Sequence, residues 1–303
     1  MADYVISYPH YLVLENGHIK DACFNELISY KDQTLTIKHQ EPVQLHVVIL
    51  VDDAEFSLNY NIEALAQVDV IETRILGGKA ILKRHMTIGD GAIVNIFHEN
   101  LSVSKETLVF DDQGTIARDA QVQFGYAELS DHSEEANFHY DLIGENADVR
   151  LRMAALAKES EKKNYTIEIK HLAPNTTGIM DNYGVVKNRG SMTIDGIGTI
   201  TKGQHGSASH QTNKIIIFDP ECYASANPYL FIDDFDVKAS HAAGVGKMDE
   251  EHLYYLESRG LSKTQSMQLI TYGYLKPVVE VVENKMLRER FETILAKVGG
   301  TNV

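Results

Sequence analysis

Five nine-residue segments of this chain share one pattern: LVDDAEFSL (50–58), IGDGAIVNI (88–96), IARDAQVQF (116–124), IGENADVRL (143–151) and VKNRGSMTI (186–194). Each reads apolar, any, polar, any, small, any, apolar, any, apolar. The polar third position is Asp52, Asp90, Arg118, Glu145 or Asn188, and the small fifth is Ala54, Ala92, Ala120, Ala147 or Gly190. The polar pair makes a turn, the small residue tucks inward at a corner, and the alternating apolar residues enter a strand with one buried face. A unit that recurs in this way cannot bury its face alone, so successive units stack. The segments start 38, 28, 27 and 43 residues apart. The shorter spacing suits one coil of a parallel β-solenoid carrying two or three short strands, and the wider gaps leave room for hairpins or longer loops. A β-sandwich with similar turns is the alternative.

Between 159 and 218 the pattern continues as short strands, TIEIKHL (166–172), GIMDNYGVV (178–186), SMTIDGIGTI (191–200) and KIIIFD (214–219), split by Asn-Thr, Asp-Asn and Gly. From 249 the spacing turns helical. Asp249 is placed to N-cap a helix through Arg259, with Gly260 just past its end. Ser262 and Gln265 form a capping box for a second helix to about Lys276. Pro277 breaks or restarts the helix, and 278–298 reads as a third.

The 303 residues are 44% hydrophobic and 23% charged, ordinary globular values. The formal net charge of −15 argues against nucleic acid or an anionic membrane surface as partner. No window approaches 18 apolar residues, so no membrane span is expected. The N-terminus MADYVISYPHYLVLENG lacks a basic stretch followed by an apolar one. Two cysteines, Cys23 and Cys222, make neither a disulfide framework nor a zinc pattern. These features fit a cytoplasmic, reduced protein.

Few residues offer chemistry. Cys222 lies in FDPECYASANPYL, just after an apolar strand. It is either a buried small hydrophobe or a thiolate nucleophile or soft-metal ligand at a strand end. His241 stands among Ser240, Ala242, Ala243 and Gly244 at an irregular strand end. It is either a turn or packing residue or, left accessible by its small neighbours, a ligand or proton carrier. Cys23 reads as structural. His205 and His210 flank a Gly-Ser-Ala-Ser stretch, as a surface loop or as two imidazoles on one face. Asp52-Asp53, Asp111-Asp112 and Asp233-Asp234 read as turns or solvated faces. There is no P-loop and no GxSxG. TIGDGA (87–92) lacks the tandem copies of a hexapeptide-repeat acyltransferase.

The segment KASHAAGVGKMDEEHLYYLESRGLSKTQSMQLITYGYLKP (238–277) carries a longer motif. Asp236-Val237, Ser240-His241, Val245-Gly246, Met248-Asp249, Tyr254-Tyr255-Leu256 and Ser258-Arg259-Gly260-Leu261 stand in register with a signature of the SufB/SufD proteins. HQTNKIIIFDPECYASANPYLFI (210–232) is similar to the last β-helix turns of that family. The chain thus resembles the scaffold subunits of the SUF iron–sulfur cluster assembly system. The resemblance implies a mainly β fold: a right-handed parallel β-helix over 1–246 and a C-terminal α-helical domain over 247–303.

It also implies roles. Cys222 occupies the position of a SufB cysteine implicated in nascent cluster assembly, which SufD typically lacks. His241 occupies a histidine shared by SufB and SufD. SufB flanks that histidine with glutamates; here Ser240 and Ala242 are SufD-like, and Ala239 stands where SufD often has cysteine. The sequence is shorter than typical family members, mainly at the N-terminus, so the family's N-terminal helical region and most of SufB's other cysteines are expected to be absent, which argues against a sulfur relay through the β-helix. The expectation is a non-enzymatic scaffold, a homodimer joining Cys222 and His241 from two chains around a transient Fe–S cluster. The family further implies a SufC-like ABC ATPase bound through the C-terminal helices, at Asp249, Tyr254, Tyr255, Arg259, Gly260 and Tyr272. One alternative is a SufD-like subunit that recruits or regulates the ATPase and holds no cluster. Another is a β-helix carbohydrate-active lyase or hydrolase, which would favour a secretion signal and clustered carboxylates on one face.

Overall fold

The computed structural model describes residues 4–102, 104–281 and 285–299. Among them, two sheets face each other across a side-chain-filled lumen. The first sheet contains β1 (His10–Glu15), β2 (His18–Cys23), β5 (Val43–Val51), β7 (Gln67–Leu76), β9 (Ile93–Asn100), β11 (Gln121–Glu128), β13 (Asp148–Ala157), β15 (Thr177–Val186), β17 (Ala208–Ile217) and β19 (Lys238–Lys247). The second contains β3 (Ile28–Lys31), β4 (Thr34–Ile37), β6 (Ala54–Ile62), β8 (Ala80–Ile88), β10 (Leu108–Ile116), β12 (Glu134–Leu142), β14 (Lys162–His171), β16 (Ser191–Ile200) and β18 (Tyr223–Ile232). From β4 onward the chain alternates between sheets, and each strand pairs in parallel with the strand two places on. This is the stacked parallel β-solenoid that the repeat predicts, with two strands per coil.

The repeat's physical basis is visible at the corners. Asp53, Gly91, Asp119 and Asn146 all have positive φ, a conformation that Gly, Asn and Asp adopt most readily. Each is the fourth position of its segment and directly precedes the small residue. In VKNRGSMTI the left-handed residue is instead the third, Asn188. Backbone bonds link stacked corners, as from Asp119 N to Glu145 O at 2.9 Å and from Asn175 N to His205 O at 2.8 Å. Ala92, Ala120 and Ala147 are fully buried. The wide gaps of the repeat have a different cause from the one expected. Segments 50–58 and 186–194 turn from the first sheet to the second; the other three turn back. Crossing from one corner series to the other takes about one and a half coils, so the gaps need no inserted hairpin.

Two expected breaks are absent. Asp181-Asn182 lies inside β15 and Gly196 and Gly198 inside β16, both uninterrupted. Among the described residues, hairpins occur only at the first end, where β1 pairs antiparallel with β2 and β3 with β4.

The tail forms α1 (Glu250–Ser258), α2 (Lys263–Leu275), a 3₁₀ segment (Lys276–Val281) and α3 (Lys285–Gly299). Asp249 caps α1, and Ser262 with Gln265 makes the capping box of α2. The expected third helix begins instead with 3₁₀ turns, because Pro277 has no amide to donate and its ring obstructs a continuing α-turn. Leu275, Val278, Val279, Phe291 and Leu295 pack on Ile71, Phe97, Ala127, Ala154 and Val185 of the first sheet's outer face. The helices therefore lie along the solenoid's side and leave its last coil uncovered.

Candidate functional site at the open end

Strand β17 alternates, with Ser209, Gln211, Asn213 and Ile215 buried toward the lumen. Register carries that phase to β19: Ser209 pairs with Ala239, Gln211 with His241 and Asn213 with Ala243. His241 is therefore on the lumen face of the last strand. No further coil covers it, so all ten residues of β19 are exposed. The sequence suggested an irregular strand end, whereas His241 is the fourth residue of a regular ten-residue strand. β19 and β18 are the terminal strands of their sheets, each presenting an edge with unpaired backbone groups. Small residues leave the space beside β19 open: a methyl group added at Gly244 or Gly246 would meet nothing within 4 Å. Beside it, Phe235 is 97% and Tyr223 62% exposed, and the exposed rings of Tyr229 and Phe231 stack at 6.5 Å.

Cys222 occupies the corner between β17 and β18, next to the first residue of β18. Its amide donates to Asp219 O at 3.2 Å and its thiol approaches Asn188 O at 3.6 Å. Burial, with Asp219 and Glu221 nearby, raises the thiol pKa, so the isolated chain holds Cys222 as a neutral thiol at pH 7. Within one chain, Cys222 and His241 are not brought together. Six strand positions separate the Gln211–His241 row from the Ile217–Lys247 row at the Cys222 corner, a span on the order of 20 Å. Among the described residues no group of three or more His, Cys, Asp or Glu side chains is placed to hold a metal ion. His205 pairs with Asp234 at 3.1 Å, and His210 Nδ1 with Ser240 Oγ at 2.7 Å. The two imidazoles thus have separate partners, and His210 lies on the sheet face opposite His241. Cys23 ends β2 at the far end of the solenoid.

The helix residues singled out from the sequence divide in two. Tyr254 and Tyr255 project from α1, 74% and 55% exposed. Arg259 lays its guanidinium over the Tyr255 ring at 5.2 Å. Asp249 and Gly260 have local duties: Asp249 accepts from Glu251 N at 2.8 Å, and Gly260 takes φ +96° after α1. Tyr272 packs at the margin of the apolar contact between helices and sheet, under Lys276 Nζ at 5.6 Å.

Sequence reasoning missed the charged network inside the lumen. Arg84 Nε donates to Asp112 at 2.9 Å, and its Nη1 donates to Glu72 at 3.2 Å. Tyr126 donates to Asp112 at 2.5 Å, and Tyr140 bonds to the same carboxylate. Arg74 pairs with Glu128 and faces Glu134 at 3.8 Å. Lys163 Nζ donates to the carbonyls of Glu128 and Ser130. All these side chains are buried. Burial and the Glu128 carboxylate push Glu134 up to about 8. Glu72 stays below the usual carboxylate range because Arg84 and His98 outweigh its burial. Burial lowers Lys163 and takes His98 down to about 4 and His132 to about 2. Arg74 and Arg84 thus face the carboxyl groups of Glu72, Asp112, Glu128 and Glu134 inside the lumen. Asp112, read from sequence as part of a turn or solvated run, is thus a buried ion-pair residue. Its place in the buried phase of LVFDDQGTI was the available signal.

A family model described as "SUF system FeS cluster assembly, SufBD core domain" matches residues 49–274. The iron–sulfur cluster assembly protein SufD of Bacillus subtilis is 28% identical over 199 residues, 66% of this chain and 46% of that protein. SufB of the same organism is 30% identical over 136 residues, 45% of this chain and 29% of SufB. An iron–sulfur cluster assembly SufBD family protein of Mycobacterium tuberculosis is 30% identical over 139 residues, 46% of this chain and 16% of that protein. The chain spans less than half the length of these relatives.

Proposed function

Because the chain belongs to the SufB/SufD family of iron–sulfur cluster assembly proteins, we propose that it is a non-enzymatic scaffold on which clusters are built at the open end of its solenoid. The observation that carries this reading is the last coil. β19 is exposed along its whole length, has a free edge, and presents His241 on its lumen face. The cluster is the scaffold's cargo, and thiolate and imidazole are suitable ligands for it. One chain keeps Cys222 and His241 too far apart to share a cluster. A second copy meeting the first end to end would bring a Cys222 from one chain toward a His241 from the other. The half-buried, neutral thiol of Cys222 would then lose its proton on meeting the metal.

The partner in this reading is an ABC-type ATPase that docks on α1 and α2, where Tyr254 and Tyr255 stand free of the solenoid. Deleting 249–303 would not test this, since it would strip the apolar cover from Phe97, Ala127 and Val185. Tyr254→Ser/Tyr255→Ser leaves that cover in place. It should abolish pull-down of the cognate ATPase, and full retention would refute the docking site.

The central test is anaerobic reconstitution with iron and sulfide, followed by absorption spectroscopy. Cys222→Ala and His241→Ala should each abolish the cluster bands while the fold stays intact. Normal yields from both would overturn the scaffold reading in favour of a SufD-like subunit that recruits the ATPase without holding a cluster. That second reading draws on the uncharged flanks Ser240 and Ala242. A carbohydrate-active enzyme finds no support. The carboxylates that lie together (Glu72, Asp112, Glu128 and Glu134) are sealed in the lumen among Arg74, Arg84 and Lys163.

A further inference from the structure

The corner that follows β13, β15 and β17 stacks two lysines beside an aromatic ring. Ala157, Val186 and Ile217 end these strands in direct register. Backbone bonds carry the stacking past the strand ends, from Lys187 N to Ala157 O at 2.9 Å and from Phe218 N to Val186 O at 3.0 Å. Lys158, Lys187 and Phe218 thus form a column in which successive backbones lie about 4.8 Å apart. Lys158 Nζ pairs with Asp131 at 2.6 Å. Lys187 Nζ lies over the Phe218 ring, 5.0 Å from its centroid. Asp131 therefore answers only one of the two cations. Among the described residues no carboxylate stands within ion-pair distance of Lys187.

This placement decides how readily Lys187 gives up a proton. Burial strips water from the ammonium and Lys158 repels it, and together they lower Lys187 to about 8, although Asp219 attracts the charge from a distance and the ring face favours it. At pH 7.5 roughly a quarter of such amines carry a free lone pair, against about a thousandth of ordinary lysines. A lysine that is desolvated, or set beside another cation, is the form in which this side chain acts as a nucleophile. Lys187 is half-buried at a surface corner, so a small electrophile can reach it.

We propose that Lys187 is a site of covalent acylation, taking the acyl group of a small thioester. The neutral amine attacks the thioester carbonyl carbon. A C–N bond forms, the C–S bond breaks, the thiolate leaves, and the proton of the amine passes to water. The resulting amide carries no charge, so the repulsion from Lys158 ends and the acyl group can rest against Phe218. The site depends on the corner column alone, and stands whether or not a cluster forms at the open end.

The test is incubation of the full chain with acetyl-CoA at pH 7.5, with modification at each lysine followed by peptide mass spectrometry. Lys187 should be acetylated at least about tenfold faster than the exposed Lys79 and Lys214. Its rate should climb from pH 7 and level off above 9, whereas theirs should still be climbing there. A rate at Lys187 no greater than at Lys79 would overturn the proposal. Lys158→Gln removes the repelling charge at similar length and should slow acetylation of Lys187 by about twofold or more, with Lys79 unchanged as the internal reference. An unchanged rate at Lys187 would show that the column does not activate it. Should that variant fail to fold, the wild-type rates and their pH profile decide.

Discussion

Arg84 and Asp112 meet inside the lumen, where Nε of the guanidinium donates to Oδ1 of the carboxylate at 2.9 Å and both side chains are buried. The partners come from adjacent strands of the second sheet, Arg84 on β8 and Asp112 on β10, in direct register. Tyr126 enters from the first sheet and bonds to both, so the pair joins the two faces of the solenoid.

Breaking this pair from one side should be costly. Asp112→Asn leaves the buried Arg84 guanidinium with Glu72 as its remaining carboxylate partner, and should lower unfolding free energy by about 3–5 kcal/mol. Replacing both residues, as Arg84→Met/Asp112→Leu, should cost less than the single change. Urea midpoints of the three variants test this. A double variant as unstable as the two singles added together would show that the ions act independently.

The same network sets how stability changes with pH. In the unfolded chain Glu134 loses its proton near pH 4–5; the folded chain keeps it up to about 8. Its contribution is therefore fully present at low pH and is lost as pH rises toward and through 8. The buried imidazoles act in the opposite sense. His98 and His171 are lowered to about 4 and His132 to about 2, so acid destabilises the fold as pH falls from about 6.5. Stability should rise between pH 5 and 6.5 and then fall toward 8. Glu134→Gln should flatten the fall, and an unchanged slope between pH 6.5 and 8 would assign it elsewhere.

Gly144 stands at a corner where coils touch backbone to backbone. A methyl group there would lie inside the van der Waals radii of Arg118 N and Ala117 C in the preceding coil. Neither atom can move without opening the stack, so Gly144→Ala should cost more than about 3 kcal/mol. A melting temperature within a degree of wild type would refute this.

The last coil should tolerate change. Cys222→Ala and His241→Ala remove little packed surface and should shift the melting temperature by less than about 2 °C. Ala243→Glu places a charge on the exposed lumen face beside His241. It should leave the fold intact but halve the mass measured by light scattering if two copies meet there. A wild-type mass that is already monomeric would place the cluster chemistry elsewhere.

The sequence disclosed what depends on local geometry. A left-handed corner residue followed by alanine recurs at Asp53-Ala54, Asp119-Ala120 and Asn146-Ala147, and the caps at Asp249 and Ser262 satisfy neighbouring amides. It hid what depends on register. Arg84 finds Asp112 28 positions away and Arg74 finds Glu128 54 away, separations that no short motif encodes. Asp112 could have been suspected from its buried phase between Phe110 and Gly114. The separation of Cys222 from His241 could not, because it follows from which strand positions lie over one another. The covering of the first sheet by Leu275 and Phe291 was equally hidden, since an apolar helix face does not say which surface it seeks.

The two ends of the solenoid are finished differently, and this limits stoichiometry. The first end closes with the hairpins β1–β2 and β3–β4, while the last end stops at bare β18 and β19. Any partner that pairs with those strands consumes the free edge that the solenoid end offers. A second copy meeting the first there end to end would turn its own hairpins outward. A contact between like ends closes a pair, whereas stacking head to tail would have to join the bare last coil to the antiparallel hairpins of the next copy.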